Sequence, residues 1–100
     1  MRIAGYLEAE GCKITVFHQG MRFTVKFEDG LYEQSFKFRE SDDIKNMEQI
    51  RQLIDAAFIE EVKDRFNVMR QSVSDLMDRY LHKDDDAEDA EIEYFEEEII

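Results

Sequence analysis

Three glycines stand at nearly even intervals in the first third of the chain. Gly11, Gly20 and Gly30 each follow a polar residue, Glu10, Gln19 and Asp29. The segments between them alternate: residues 21–28 read M-R-F-T-V-K-F-E, apolar and polar by turns. That is the period of a strand with one buried face. A two-residue turn ending in glycine joins antiparallel strands, because such turns need positive φ. The spacing predicts a four-stranded antiparallel meander with strands at about 2–9, 12–18, 21–28 and 31–39.

The three turns agree on the facing of the sheet. A turn at 10–11 pairs Ala9 with Cys12, Leu7 with Ile14 and Ile3 with His18. A turn at 19–20 pairs Val16 with Phe23 and Ile14 with Val25, and one at 29–30 pairs Phe27 with Tyr32 and Phe23 with Phe36. Each places the apolar set on the same side, and a one-residue slip would turn a whole strand over. The opposite side carries Arg2, Lys13, Arg22, Lys26, Lys37 and Arg39 against Glu8, Glu28 and Glu33, with Tyr6 and Phe17 among them. Cross-strand pairs of opposite charge are expected at Glu8–Lys13 and Lys26–Glu33, each a small stabilising contribution.

Residues 40–49, E-S-D-D-I-K-N-M-E-Q, have the look of a helix start, with Ser41 or Asp42 as the cap and acids in the first turn. Ile44, Met47, Ile50, Leu53, Ile54, Ala57 and Phe58 then recur at helical spacing to cover the sheet. No Gly follows Gly30 and the chain has no Pro, so the helical region is expected over about 42–82, long or bent. A helix of ~40 residues measures ~60 Å, against ~27 Å for a strand of ~8 residues. Its second half therefore needs something else to pack on. That half repeats Ile59, Val62, Phe66, Met69, Val73, Leu76 and Tyr80 at alternating steps of three and four, a coiled-coil seam. Lys63, Arg65, Arg70 and Arg79 flank it. A parallel self-paired coil would set Arg65 against Arg70 of its partner, which disfavours that dimer.

The charge is unevenly placed. Formal net charge is −12, but residues 1–83 hold all 13 Lys and Arg and only 15 of the 25 Asp and Glu; residues 84–100 hold the remaining acids and no base. The chain is thus an α+β protein: a near-neutral domain at 1–83, with a four-stranded antiparallel meander followed by a long or bent C-terminal helix, and an acidic tail at 84–100. The tail is laced with Ile92, Tyr94, Phe95 and Ile99. Ile92, Phe95 and Ile99 fall on one helical stripe with acidic flanks, the complement of a seam with basic flanks. The tail is expected either to fold back on that seam or to remain solvated, as its composition also suits.

Chemistry is weakly signalled. His18 and His82 have no His or Cys neighbour at metal-ligand spacing; His18 reads as a partly buried residue at the end of the apolar face and His82 as a surface residue near a helix C-terminus. The acid run D-D-D-A-E-D-A-E lacks the Gly and Glu positions of a calcium loop. Cys12 faces the sheet core, where a thiol acts as a small apolar group, and a lone cysteine suits a reducing compartment. The opening MRIAGYLEAEG lacks the basic and apolar regions of a signal peptide, and no apolar run approaches ~20 residues. The expectation is a cytoplasmic, non-catalytic protein with no cofactor, no metal and no membrane contact.

Two binding functions fit the pattern. The first is a protein-interaction module in which Val62, Phe66, Met69, Val73, Leu76 and Tyr80, with Arg65, Arg70 and Arg79, receive a protein partner or a second copy. The second, less favoured, is single-stranded nucleic-acid binding through Tyr6, Lys13, Phe17, Arg22, Lys26 and Lys37, with the tail as internal competitor. A third possibility is that the tail imitates nucleic-acid phosphate and blocks a basic protein.

Overall fold

The structure, a computed structural model, describes residues 1–82. Met1–Val68 forms one compact unit, and Met69 begins a second, of which the part to His82 is described. Four antiparallel strands, β1 (Arg2–Ala9), β2 (Cys12–Gln19), β3 (Arg22–Asp29) and β4 (Tyr32–Arg39), pair in chain order. Two helices come after them, α1 (Met47–Leu53) and α2 (Ala56–Leu81). The alternating residues bury as expected. Leu7, Ile14, Val16, Phe23, Val25 and Phe27 meet Ile50, Ile54, Val62 and Phe66 in the core.

The facing of β2, β3 and β4 agrees with the alternation, but two turns sit one residue later. Gly20 and Gly30, at φ +61° and +65°, take the first turn position, ahead of Met21 and Leu31; among the described residues only glycines have positive φ. Positive φ at the first position alone is the demand of a II′ turn, so glycine opens these turns rather than closing them. The pairing slides by two residues, which keeps every side chain on its face. Val16 therefore lies opposite Val25, Val25 opposite Phe36 and Phe23 opposite Phe38. The expected Lys26–Glu33 pair is replaced: Lys26 faces Ser35, and Glu33 faces Glu28.

The first hairpin keeps the expected register from Ala9–Cys12 through Gly5–Val16, including Glu8–Lys13. A bulge between Ile3 and Gly5 then shifts it, so that Ile3 lies opposite Phe17 and Arg2 opposite His18. One extra residue reverses the facing beyond it. Ile3 joins the uncovered face with Phe17, and Arg2 moves to the face of His18.

The helical region starts later than expected and is broken once. Ser41 forms a small backbone bridge with Ile44, and its Oγ accepts from the Asp43 N–H at 3.2 Å. The cap is Asn46, whose Oδ1 accepts from Gln49 N–H at 2.9 Å, while Gln49 Oε1 accepts from Lys45 N–H at 2.8 Å. This reciprocal arrangement is close to a capping box. Ile54 N–H donates to Ile50 C=O and closes α1. Asp55 Oδ1 then accepts from Phe58 N–H at 2.9 Å and starts α2. An aspartate that satisfies an N-terminal donor favours a new start over continuation.

Both helix starts lie against the sheet. A Cβ built on Gly5 would stand 2.8 Å from Met47 Cε and 3.1 Å from its Sδ, so the missing side chain at Gly5 lets α1 approach β1. Phe58, in the first turn of α2, meets Phe36 at 5.1 Å and Phe27 at 5.9 Å between centroids, and Phe27 meets Phe36 at 5.8 Å, all edge to face. Such geometry adds about 0.5–1.5 kcal/mol per pair beyond area burial. Gly5→Ala is expected to lower stability by no more than about 1 kcal/mol, because the atoms in its way belong to the flexible end of the Met47 side chain. In a Met47→Ala background the same change should be much smaller, because the obstructing thioether is gone. Urea melts of the four chains measure this coupling; equal effects in both backgrounds would contradict the contact.

Candidate functional site

The expected seam divides into two parts. Val62 and Phe66 are fully buried and belong to the core of Met1–Val68. Gln34, from β4, reaches them: its Nε2 donates to Val62 C=O at 2.9 Å, and its Oε1 accepts from Arg65 Nε at 3.1 Å. The Arg65 guanidinium lies 5.9 Å from the ring centroids of both Phe36 and Phe58. Arg65, read from sequence as a flank for a partner, is therefore engaged with the aromatic cluster.

Beyond Val68 the pattern persists without burial. Met69 is half-buried, Val73, Leu76 and Tyr80 are 38, 51 and 62 % exposed, and Arg70 and Arg79 are exposed beside them. Met77 and Leu81 are also exposed and widen the stripe. Reading a strict two-position seam passed over them, although the apolar doublets Leu76-Met77 and Tyr80-Leu81 were the available signal. The tail residues Ile92, Tyr94, Phe95 and Ile99, and their expected docking on this stripe, lie outside the described residues.

On the sheet, Tyr6, Lys13, Phe17, Arg22, Lys26 and Lys37 all fall on the uncovered face. Cross-strand pairing arranges that face in rows. Glu8, Lys13, Glu28 and Glu33 form the row nearest one end. Tyr6, Thr15, Lys26 and Ser35 come next, then Ile3, Phe17, Thr24 and Lys37. Gln19, Arg22 and Arg39 close the other end. Thr15, in the second row, is buried although its row lies on the uncovered face. Lys26 Nζ stands 5.4 Å from the Phe17 centroid and 3.9 Å from Glu28 Oε2, so Lys26 and Lys13 both have acidic neighbours. Arg22 and Lys37 instead share their end with Arg39, which was not singled out as a binding residue. Its position opposite Arg22 depends on where the two turns sit.

The chemically versatile side chains have structural surroundings. His18 stacks on Phe23 with centroids 4.4 Å apart, and its Nε2 lies 3.2 Å from Glu40 Oε1. Burial pushes the Cys12 thiol above its ordinary value; Lys63 works against that shift and Asp29 adds to it. His82 lies just past the end of α2 and donates its backbone N–H to Asp78 C=O. Among the described residues no cluster of three His, Cys, Asp or Glu is arranged to hold a metal ion, and no helix is long and apolar enough to cross a membrane. No protein-family model, no curated protein and no solved structure matches this chain.

If Arg65 serves the fold, truncating it removes packing over two rings as well as a hydrogen bond. Arg65→Ala is expected to lower stability by ~1–3 kcal/mol, and Arg79→Ala, on the exposed half of α2, to stay within ~0.5 kcal/mol. Thermal melts of the two variants check the order, and equal small effects would return Arg65 to the binding surface.

Proposed function

We propose that this chain is a non-catalytic interaction protein that associates with a second copy of itself through the second half of α2. The observation that carries this reading is the exposed apolar pair Val73 and Leu76, widened by Met77 and Leu81. It continues the same seam whose earlier members, Val62 and Phe66, are fully buried. Most of a helix's stability in a protein comes from packing its apolar face, and this half of α2 leaves that face exposed. A contiguous exposed stripe of this kind marks a contact surface.

Charge favours the antiparallel arrangement. Continuing the heptad from Ile59, Arg70 and Met77 flank one side of the exposed row, and Ser72 and Arg79 flank the other. Antiparallel pairing sets Arg70 opposite Met77 and Ser72 opposite Arg79, with no arginine facing another. Met69 then packs beside Tyr80 of the second copy, and Val73 beside its Leu76. Half-burial of these few side chains, at ~1 kcal/mol each, supports association no tighter than roughly micromolar. The assembly is then concentration-dependent. A reducing, cytoplasmic setting accompanies this reading and is supported by the lone Cys12.

Sedimentation equilibrium of the full chain over a wide concentration range tests the proposal. The expected result is a monomer–dimer equilibrium that Val73→Glu with Leu76→Glu abolishes. Glutamate is a good helix former, so circular dichroism of the double variant should remain native. A chain that stays monomeric at the highest concentration, or a double variant that still dimerises, would overturn the reading.

A further inference from the structure

The second observation is independent of α2. Arg22 and Arg39 lie directly opposite each other on the uncovered sheet face, and Lys37 lies beside them on β4. Like charges directly opposite across a strand pair destabilise it. Among the described residues no carboxylate makes an ion pair with any of the three. All three line one shallow depression with Gln19, Met21 and Glu40, and the Glu40 carboxylate is engaged with His18. The acids of this face stand at the opposite end, in the row Glu8, Lys13, Glu28 and Glu33. That row interleaves Lys13 between Glu8 and Glu28, although it too sets like charges opposite at Glu28–Glu33. The arginine end holds Arg22, Lys37 and Arg39 with no acid of this face among them.

Aromatic side chains adjoin the basic end. Phe17 occupies the next row, together with Ile3, which the bulge in β1 has turned to this side. Tyr6, in the row beyond, is largely exposed. Rows on one face of a strand are ~7 Å apart, so cation and ring alternate within reach of one extended ligand. A sheet face with the exposed Tyr6 ring in its middle, the Phe17 ring beside it under the Lys26 ammonium, and three bases at one end can stack unpaired bases and hold their phosphates. A duplex hides the faces of its bases and offers phosphate alone.

We propose that this end of the sheet binds single-stranded nucleic acid, with phosphates held by Arg22, Lys37 and Arg39 and bases resting on Phe17 and Tyr6. Contacts of this kind release counterions, so three of them give a slope of about −2 for log K against log salt on a single strand. The acids of residues 84–100 share the ligand's sign and weaken the complex. The phosphate contacts weaken as salt rises, so binding is strongest at low salt.

Fluorescence anisotropy of a labelled oligothymidylate titrated with the full chain tests the proposal. The expected result is saturable binding at low salt with that slope. Arg22→Ala or Arg39→Ala should weaken it about tenfold and make the slope shallower by about 0.7. Each substitution should also leave the thermal midpoint unchanged or raise it, because it removes a repulsion; a merely structural arginine would lower it. Lys13→Ala, at the acidic end, should leave binding unchanged. No binding at low salt, or binding that neither arginine substitution affects, would overturn the proposal. Displacement by an unlabelled duplex as readily as by a single strand would overturn it too. So would a polyglutamate peptide that binds where oligothymidylate does not, since it would point to an acidic protein partner.

Discussion

The meeting of Phe27, Phe36 and Phe58, with the Arg65 guanidinium over the last two, is the contact on which the arrangement of Met1–Val68 depends. Two of these rings come from neighbouring strands and the third from the first turn of α2. Gln34 ties the cluster to the helix backbone at Val62 and to Arg65 at once. The contacts need one another. The rings bring α2 close enough for Gln34 to reach a helical carbonyl, and the hydrogen bonds hold the arginine over the rings. The Asp55 cap fixes where α2 starts and so puts Phe58 in reach. Val62 and Phe66 are consequently committed to the core, whereas the later turns of α2 keep their apolar side chains exposed.

The alternation of residues 2–39 carried nearly all of the sheet. Four strands, their order and the facing of three of them were legible because period two and a buried face leave little freedom. The positions of two turns were not, since Gln19-Gly20 and Gly20-Met21 suit the same strands and differ only in which turn residue takes positive φ. The bulge was invisible because nothing in R-I-A-G-Y requires an extra residue; it becomes intelligible once Ile3 and Arg2 are seen to have changed sides. The helix break was hidden for a related reason. Asp55 inside an apolar periodicity reads as one polar position among many, until its side chain is found on the Phe58 N–H. Asn46, with Gln49 three residues on, was a better cap than Ser41 and was there to be read.

The candidate surfaces show the same division. A three-and-four repeat says which residues share a helix face, but not how much of that face the rest of the protein uses. Val62, Phe66 and Arg65 look from sequence like Val73, Leu76 and Arg79. Burial separates the apolar residues, and the contacts with Gln34 and the rings of Phe36 and Phe58 set the exposed Arg65 apart from Arg79. On the sheet, composition showed an excess of base, whereas the corrected register shows its concentration: Arg22 lies against Arg39 at one end, with the acids at the other. Both surfaces come from patterns that continue past the point where the fold needs them.

The central claim is that one helical seam is core up to Phe66 and contact surface after Met69. Amide hydrogen exchange at low and at high protein concentration tests it most directly, because local opening reports how firmly each helical turn is packed. The account predicts that amides around Val62 and Phe66 are strongly protected at both concentrations, and that those from Val73 to Leu81 exchange rapidly when dilute and gain protection as concentration rises. Protection of the whole of α2 that is uniform and independent of concentration would contradict it.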